Sequence, residues 1–221
     1  MEKTLRNRTL IKLRKIWRNN LRSLAILILV LTSFRSAVAD WNDVPTGSMI
    51  PTILIGDRIL VNKLAYGLKI PYTTWHIARW STPQRGDIVV FNSPKDGTRL
   101  VKRVVGLPGD RIEMINDQLY INHQPLQYQS HGNLITETLG EKTHSIAMIP
   151  QIRAMRTFGP IVVPAGEYFM MGDNRDISAD SRYIGTVKLD QILGRSSRVA
   201  LSLDYDHYFL PRWNRFFKSM Q

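Results

Sequence analysis

The 221-residue chain has no cysteine. That excludes disulfides, thiolate metal sites and a cysteine nucleophile, and leaves the redox compartment open. Histidine is scarce, at five residues, and none falls in a metal-binding or catalytic motif. The Gly-x-Ser-x-Gly turn of the α/β-hydrolases is absent, as are internal repeats. Acidic residues are few at one end. Residues 1–40 hold nine Lys or Arg against Glu2 and Asp40, a net +7, while the other 181 residues carry 21 basic and 16 acidic groups, +5, for a total of +12. A nucleic-acid binder would carry its charge across a folded face, so no nucleic-acid partner is expected.

Long apolar runs are also missing. The longest uncharged stretch near the N-terminus is Ser23–Phe34, "SLAILILVLTSF", too short at ~1.5 Å per residue to cross ~30 Å of hydrocarbon. A helix over 21–41 is long enough if Arg22 and Arg35 extend toward the two interfaces, with Trp41 at the far headgroup level. The basic tail, residues 1–20, then stays in the cytoplasm and everything after Trp41 lies outside, giving a single-pass protein of the cytoplasmic (inner) membrane in contact with lipid. Two other readings compete: a cleavable leader ending at Ala37-Val38-Ala39, and a core helix of a soluble protein. The long basic region and Arg35 beside the small residues favour the uncleaved anchor.

Eleven prolines and fourteen glycines break the rest into short strands, predicting a mainly β architecture. Strands are expected within 57–67, 86–91, 98–106, 166–174 and 194–204, with a hairpin about Asn116-Asp117. The patterning weakens from 114 to 163, which reads as an inserted smaller subdomain between core segments 42–113 and 164–221. The tail "YFLPRWNRFFKSM" suits either a membrane-facing rim or a terminal strand.

One serine invites a chemical question. Ser48 lies in "VPTGSMIPT", where Gly47 permits close approach of the backbone and Pro51 resists helix. A serine hydroxyl needs a base. A histidine partner distant in sequence stays open. Lysine is the other option: Lys102 alternates with Leu100 and Val104 on an otherwise apolar strand face, and burial there lowers an amine's pKa. The competing reading is an edge-strand lysine with its head in water. Arg103 faces the other way and cannot act as a base.

The residues resemble a known family. "PTGSMIPTILIGDRILVNKLAYG" is similar to the nucleophile box of bacterial type I signal peptidases, and "RGDIVVF", "LVKRVVGLPGD" and "GDNRDISADSRYIG" resemble its later boxes, in order. The match spans most of 1–204. It implies a membrane-tethered serine endopeptidase of the Ser-Lys kind with an antiparallel, barrel-like β core shared with LexA-like self-cleaving proteins, and 114–163 as the variable subdomain. By position it implies Ser48 as nucleophile and Lys102 as general base. The Ser48 N–H and the Thr46 hydroxyl would form the oxyanion hole, Ser178 would orient the amine, and Asp180–Arg182 would form a structural ion pair. No metal or cofactor is implied. Substrates would be signal-peptide-bearing preproteins cut after small residues at −3 and −1, in pockets near Met49, Ile59 and Val89, by a monomer. Two alternatives are a dedicated single-substrate processing peptidase of the conjugative-transfer type and a non-catalytic, membrane-tethered peptide-binding β-domain. A calcium loop at Asp176, Ser178 and Asp180 fails, since the pattern then needs glycine at Ser181 and glutamate at Val187. Asp173 and Arg175 read as structural.

Overall fold

The computed structural model describes residues 2–70, 73, 75–131 and 134–220. Its first element, α1 (Glu2–Ala37), contains one 18-residue apolar stretch, Asn20–Ala37, with mean hydropathy 1.3. At 1.5 Å per residue this reaches about 27 Å, close to the thickness of a bilayer core. Its apolar side chains from Leu21 to Leu31 are exposed, so no protein core covers them.

The helix stops four residues short of the expected Trp41. Residues Ala39–Asp43 instead form β1, pairing antiparallel with β2 (Asp57–Asn62) in the register Trp41↔Leu60. Two side chains favour the break. Lys63 Nζ donates to the last-turn carbonyls of Arg35 and Ser36 at 3.0 and 3.1 Å, a cation placed where the helix dipole welcomes one. Arg35 turns back to Asp40 at 2.9 Å and lies over the Trp41 ring at 5.1 Å.

The remaining elements are short. β3 (Gly67–Lys69) and β4 (His76–Arg79) form a separate hairpin. β5 (Ile88–Asn92) and β6 (Arg99–Gly106) are adjacent and antiparallel. β7 (Arg111–Ile115), β8 (Gln118–Ile121) and β9 (Gln124–Pro125) meander, and β10 (Gln127–His131), β11 (Leu134–Leu139) and β12 (Lys142–Ile146) make a three-stranded sheet. β13 (Phe158–Val162) returns to pair with β7. β14 (Glu167–Met171), the single turn α2 (Ser181–Ile184), β15 (Val187–Lys188), β16 (Ile192–Asp204) and β17 (Leu210–Pro211) complete the chain. The main sheet runs β1-β2-β16-β5-β6-β14-β15, with β17 on β16, and every pairing in it is antiparallel.

Burial explains the unalternated sequence of the central strands. On β5, Ile88 and Val90 join one apolar cluster with Met49, Ile53 and Ile59, while Val89 and Phe91 join another with Val104 and Met170. A strand covered on both faces needs no polar side, hence "IVVF". The hairpin turn predicted at Asn116-Asp117 forms between β7 and β8 with φ of 49° and 68°, values that Asn and Asp tolerate better than most residues. The segment 114–163 begins inside β7, and its distal strands β10–β12 form their own sheet.

Candidate functional site

Ser48 sits in a tight turn between β1 and β2. Ile50 N donates to Gly47 O at 3.1 Å and Ile53 N to Met49 O at 2.9 Å. Met49 and Ile53 are buried in the core and fix the turn from below. From the side, Asn174 holds it twice, its backbone N–H donating to Ser48 O and its Nδ2 to Gly47 O, each at 3.1 Å.

Lys102, on β6, is 2% exposed. Its Nζ donates to Ser48 Oγ at 2.7 Å and to Val101 O at 3.0 Å. The side chain is therefore not the solvated edge lysine of the competing reading. Burial pushes the amine down to about 8, with the carboxylates of Asp180 and Asp173 acting weakly the other way. At pH 7 an amine of that pKa is neutral about a tenth of the time, against less than a thousandth for an ordinary lysine. The pair can thus move a proton from hydroxyl to amine near neutral pH. Among the four histidines whose side chains are described, none takes this place: His76 meets Arg79, His123 and His207 face solvent, and His144 packs on Glu137.

The wall beside the pair runs from Gly172 to Arg182. Asp180 and Arg182 form the expected ion pair, fully buried on the acidic side, with Nε–Oδ1 2.8 Å and Nη2–Oδ2 2.9 Å. Asp180 Oδ2 also accepts from Gly172 N at 3.0 Å, so the pair braces the strand end next to Ser48. Ser178 departs from expectation. Its Oγ is buried and makes no hydrogen bond to a described residue; it packs against Gly172 instead. The amine's second bond goes to the Val101 carbonyl, which is reached from Lys102's own strand. Thr46 is exposed and lines the cleft in front of Ser48.

That cleft, of about 240 Å³, is lined by Val44, Thr46, Ser48, Met49, Leu100 and Lys102 among others. It lies between two strand edges. β1 pairs only with β2, and residues 99–102 of β6 pair only with β5, so each leaves one edge unpaired among the described residues. Free edges of this kind accept an extended peptide as an added strand. Met49 lines the cleft as expected; Ile59 lies fully buried in its cluster, and Val89, the register partner of Lys102, is fully buried with Phe91, Val104 and Met170, so neither reaches the cleft.

A second layer of charge was invisible in the sequence. Arg103 grips Asp173 with two bonds of 2.8 and 2.7 Å; burial opposes the carboxylate's charge, but that guanidinium together with His144 and Thr52 holds Asp173 below its usual range. Thr52, four residues past Ser48, donates to the same carboxylate. Arg175 pairs with Glu137 from β11, and against burial that guanidinium and His144 together hold Glu137 low. Glu137 also faces His144 Nε2 at 3.2 Å. These groups tie the β10–β12 sheet to the wall beside Ser48. Among the described residues no group of three or more His, Asp or Glu is arranged to hold a metal.

With this geometry in place, the likeness to known proteins is specific. A family profile described as "Signal peptidase, peptidase S26" matches residues 17–201. A signal peptidase I of Pseudomonas fluorescens is 39% identical over 198 residues, covering 80% of this chain and 68% of that one. One from Pseudomonas aeruginosa is 38% identical over 178 residues, covering 76% and 62%. A third, from Buchnera aphidicola subsp. Schizaphis graminum, is 32% identical over 247 residues and covers 90% and 79%. The chain therefore belongs to the signal peptidase family, peptidase S26, and is a serine endopeptidase of the signal peptidase I type.

Proposed function

We propose that this chain removes N-terminal signal peptides from exported preproteins, with Ser48 as nucleophile and Lys102 as general base, while anchored to the cytoplasmic membrane by α1. The observation that carries the reading is the 2.7 Å hydrogen bond between Lys102 Nζ and Ser48 Oγ, around an amine that is 2% exposed. In its neutral form Lys102 takes the hydroxyl proton as Ser48 Oγ adds to the carbonyl carbon of the −1 residue. The ammonium then gives that proton to the leaving amine, leaving an acyl-enzyme. Water, deprotonated by the same amine, adds to the ester carbonyl, and Ser48 leaves with the proton.

The developing oxyanion faces the Ser48 N–H and the Thr46 hydroxyl. Thr46→Val keeps the shape and removes the donor. Turnover is expected to fall at least tenfold with KM little changed, since the bond forms only in the transition state. Unchanged kcat would remove Thr46 from the mechanism.

The exposed apolar stretch of α1 and the basic tail support an anchor with the N-terminus in the cytoplasm and the β core outside. In this arrangement 1–20 is the tail, 42–113 and 164–221 the catalytic core, and 114–163 the variable insertion, in a monomer touching lipid. Tethering raises the effective concentration of enzyme where preproteins emerge.

The test is direct. Purified full-length protein is incubated with a model preprotein and both are weighed by intact-mass analysis. Cleavage after an Ala-x-Ala-like site, and a serine-directed acylating inhibitor mapped to Ser48, are expected. No adduct and no cleavage would favour a non-catalytic peptide binder. Cleavage of a single preprotein among a panel would indicate a dedicated enzyme.

A further inference from the structure

The cleft does not end at apolar pockets. Three residues upstream of Lys102, about 10 Å along the strand, Arg99 reaches across the gap and its Nη1 donates to Asn42 Oδ1 on β1 at 3.0 Å. Both residues line the same cleft as Ser48. The partner is neutral, and Arg99 makes no ion pair among the described residues. Asp43, next along β1, is engaged by Arg58 at 2.5 Å, and Asp96 accepts from Thr98 N at 3.0 Å. Arg99 is thus a cation, exposed and without a carboxylate, at one end of the cleft.

The chain itself shows which end of a substrate lies there. From Ser48 to Asn42 the strand runs back toward Ala37, where α1 ends. A preprotein held in the membrane by its own apolar segment enters from that side, so the residues preceding the cut lie toward Arg99. With the −1 carbonyl at Ser48, a peptide running between the two edges at the same rise per residue brings its −4 residue level with Arg99.

We infer that Arg99, bridged to Asn42 across the upstream end of the cleft, is a specificity-determining residue that reads the preprotein side chain at −4, accepting a carboxylate or amide and rejecting a basic group. The inference rests on the peptidase reading above. An incoming carboxylate or amide oxygen takes over the guanidinium from Asn42; an incoming ammonium meets an unneutralised like charge inside a partly closed cleft.

The experiment uses the full chain in detergent micelles and three model preproteins that differ only at −4, carrying Asp, Asn or Lys. Native protein is expected to favour Asp over Lys about fivefold in kcat/KM at low ionic strength. The ratio should shrink in about 0.5 M salt. Arg99→Gln should flatten it and Arg99→Glu invert it, a charge dependence that mere loss of packing does not produce. Equal rates for all three substrates, each cut at the intended site, overturn the inference and leave the peptidase reading intact. Failure to cut any of them at that site overturns the peptidase reading instead.

Discussion

Lys102→Met is expected to abolish processing while leaving the fold at least as stable as that of the native chain. The two effects share one cause. Burial carries the amine from 10.5 to about 8, which corresponds to roughly 3 kcal/mol of disfavoured ammonium. The sign follows from proton counting. Between about 8 and 10.5 the unfolded chain binds more protons at this site than the folded one, so stability rises with pH there. Below 8 both states hold the proton and the full penalty persists. Methionine has similar volume and no charge to desolvate, but it forfeits two hydrogen bonds worth about 1 kcal/mol each. A small net gain, about 1 kcal/mol at pH 7, should appear in urea unfolding.

If Lys102 is the base, the same group is expected to set the pH dependence of the native enzyme. Below about 8, kcat/KM should fall tenfold per pH unit as the amine protonates, and it should level off above. Lys102→Arg keeps the charge and cannot release a proton, so it is expected to be inactive at every pH. A destabilised Lys102→Met protein, or a flat pH profile through 8, would contradict a buried amine acting as base.

How much of this was legible beforehand follows from the range of each interaction. Ser48 and Lys102 each stand out in a local pattern, a Pro- and Gly-bounded turn and a polar residue between apolar neighbours on one strand face, but those patterns leave a solvated edge lysine open, and it is the resemblance of the surrounding boxes that joins the two residues. The β-rich character and the Asn116-Asp117 turn are local in that sense, whereas the Asp180–Arg182 pair is implied by the resemblance. Glu137 was not legible. It lies in a polar stretch with no periodicity, and its partner Arg175 is 38 residues away. Arg103–Asp173 spans 70 residues, and Asn174's grip on Gly47 spans 127. Composition records that such charges exist and says nothing of who meets whom. α1 ends at Ala37 rather than Trp41 because β2, specified about twenty residues further along the chain, captures residues 39–43, and nothing in the local sequence marks that capture. The orienting bond from Ser178 was expected from resemblance alone, and its hydroxyl packs toward Gly172 instead.

That packing makes Gly172→Ala the second large effect. A Cβ built on Gly172 would lie 2.2 Å from Ser178 Oγ, 2.6 Å from Ser178 Cβ and 2.5 Å from the backbone oxygen of Ser48. The Ser178 hydroxyl can rotate away, but Ser178 Cβ and the Ser48 backbone oxygen cannot. Gly172 itself cannot retreat easily, since its N–H is held by Asp180 Oδ2 and its carbonyl by Arg175 Nε. The Ser48 carbonyl is held to this wall by one hydrogen bond, from the Asn174 N–H at 3.1 Å, against the two that hold Gly172, so it is the party that yields. The added methyl should therefore push the nucleophile turn away from the wall and lengthen the 2.7 Å contact with Lys102. A displacement near 1 Å at a reacting centre costs on the order of 100-fold in rate, whereas overpacking of one methyl costs about 1–3 kcal/mol of stability. The protein should stay folded with kcat/KM at least 100-fold down, and acylation of Ser48 by a serine-directed inhibitor should slow in parallel. Adding Ser178→Gly removes two of the three clashes and should not restore activity, because the contact with the Ser48 oxygen remains. Near-native turnover by Gly172→Ala would mean that the 172–178 wall is not what holds the nucleophile against its base.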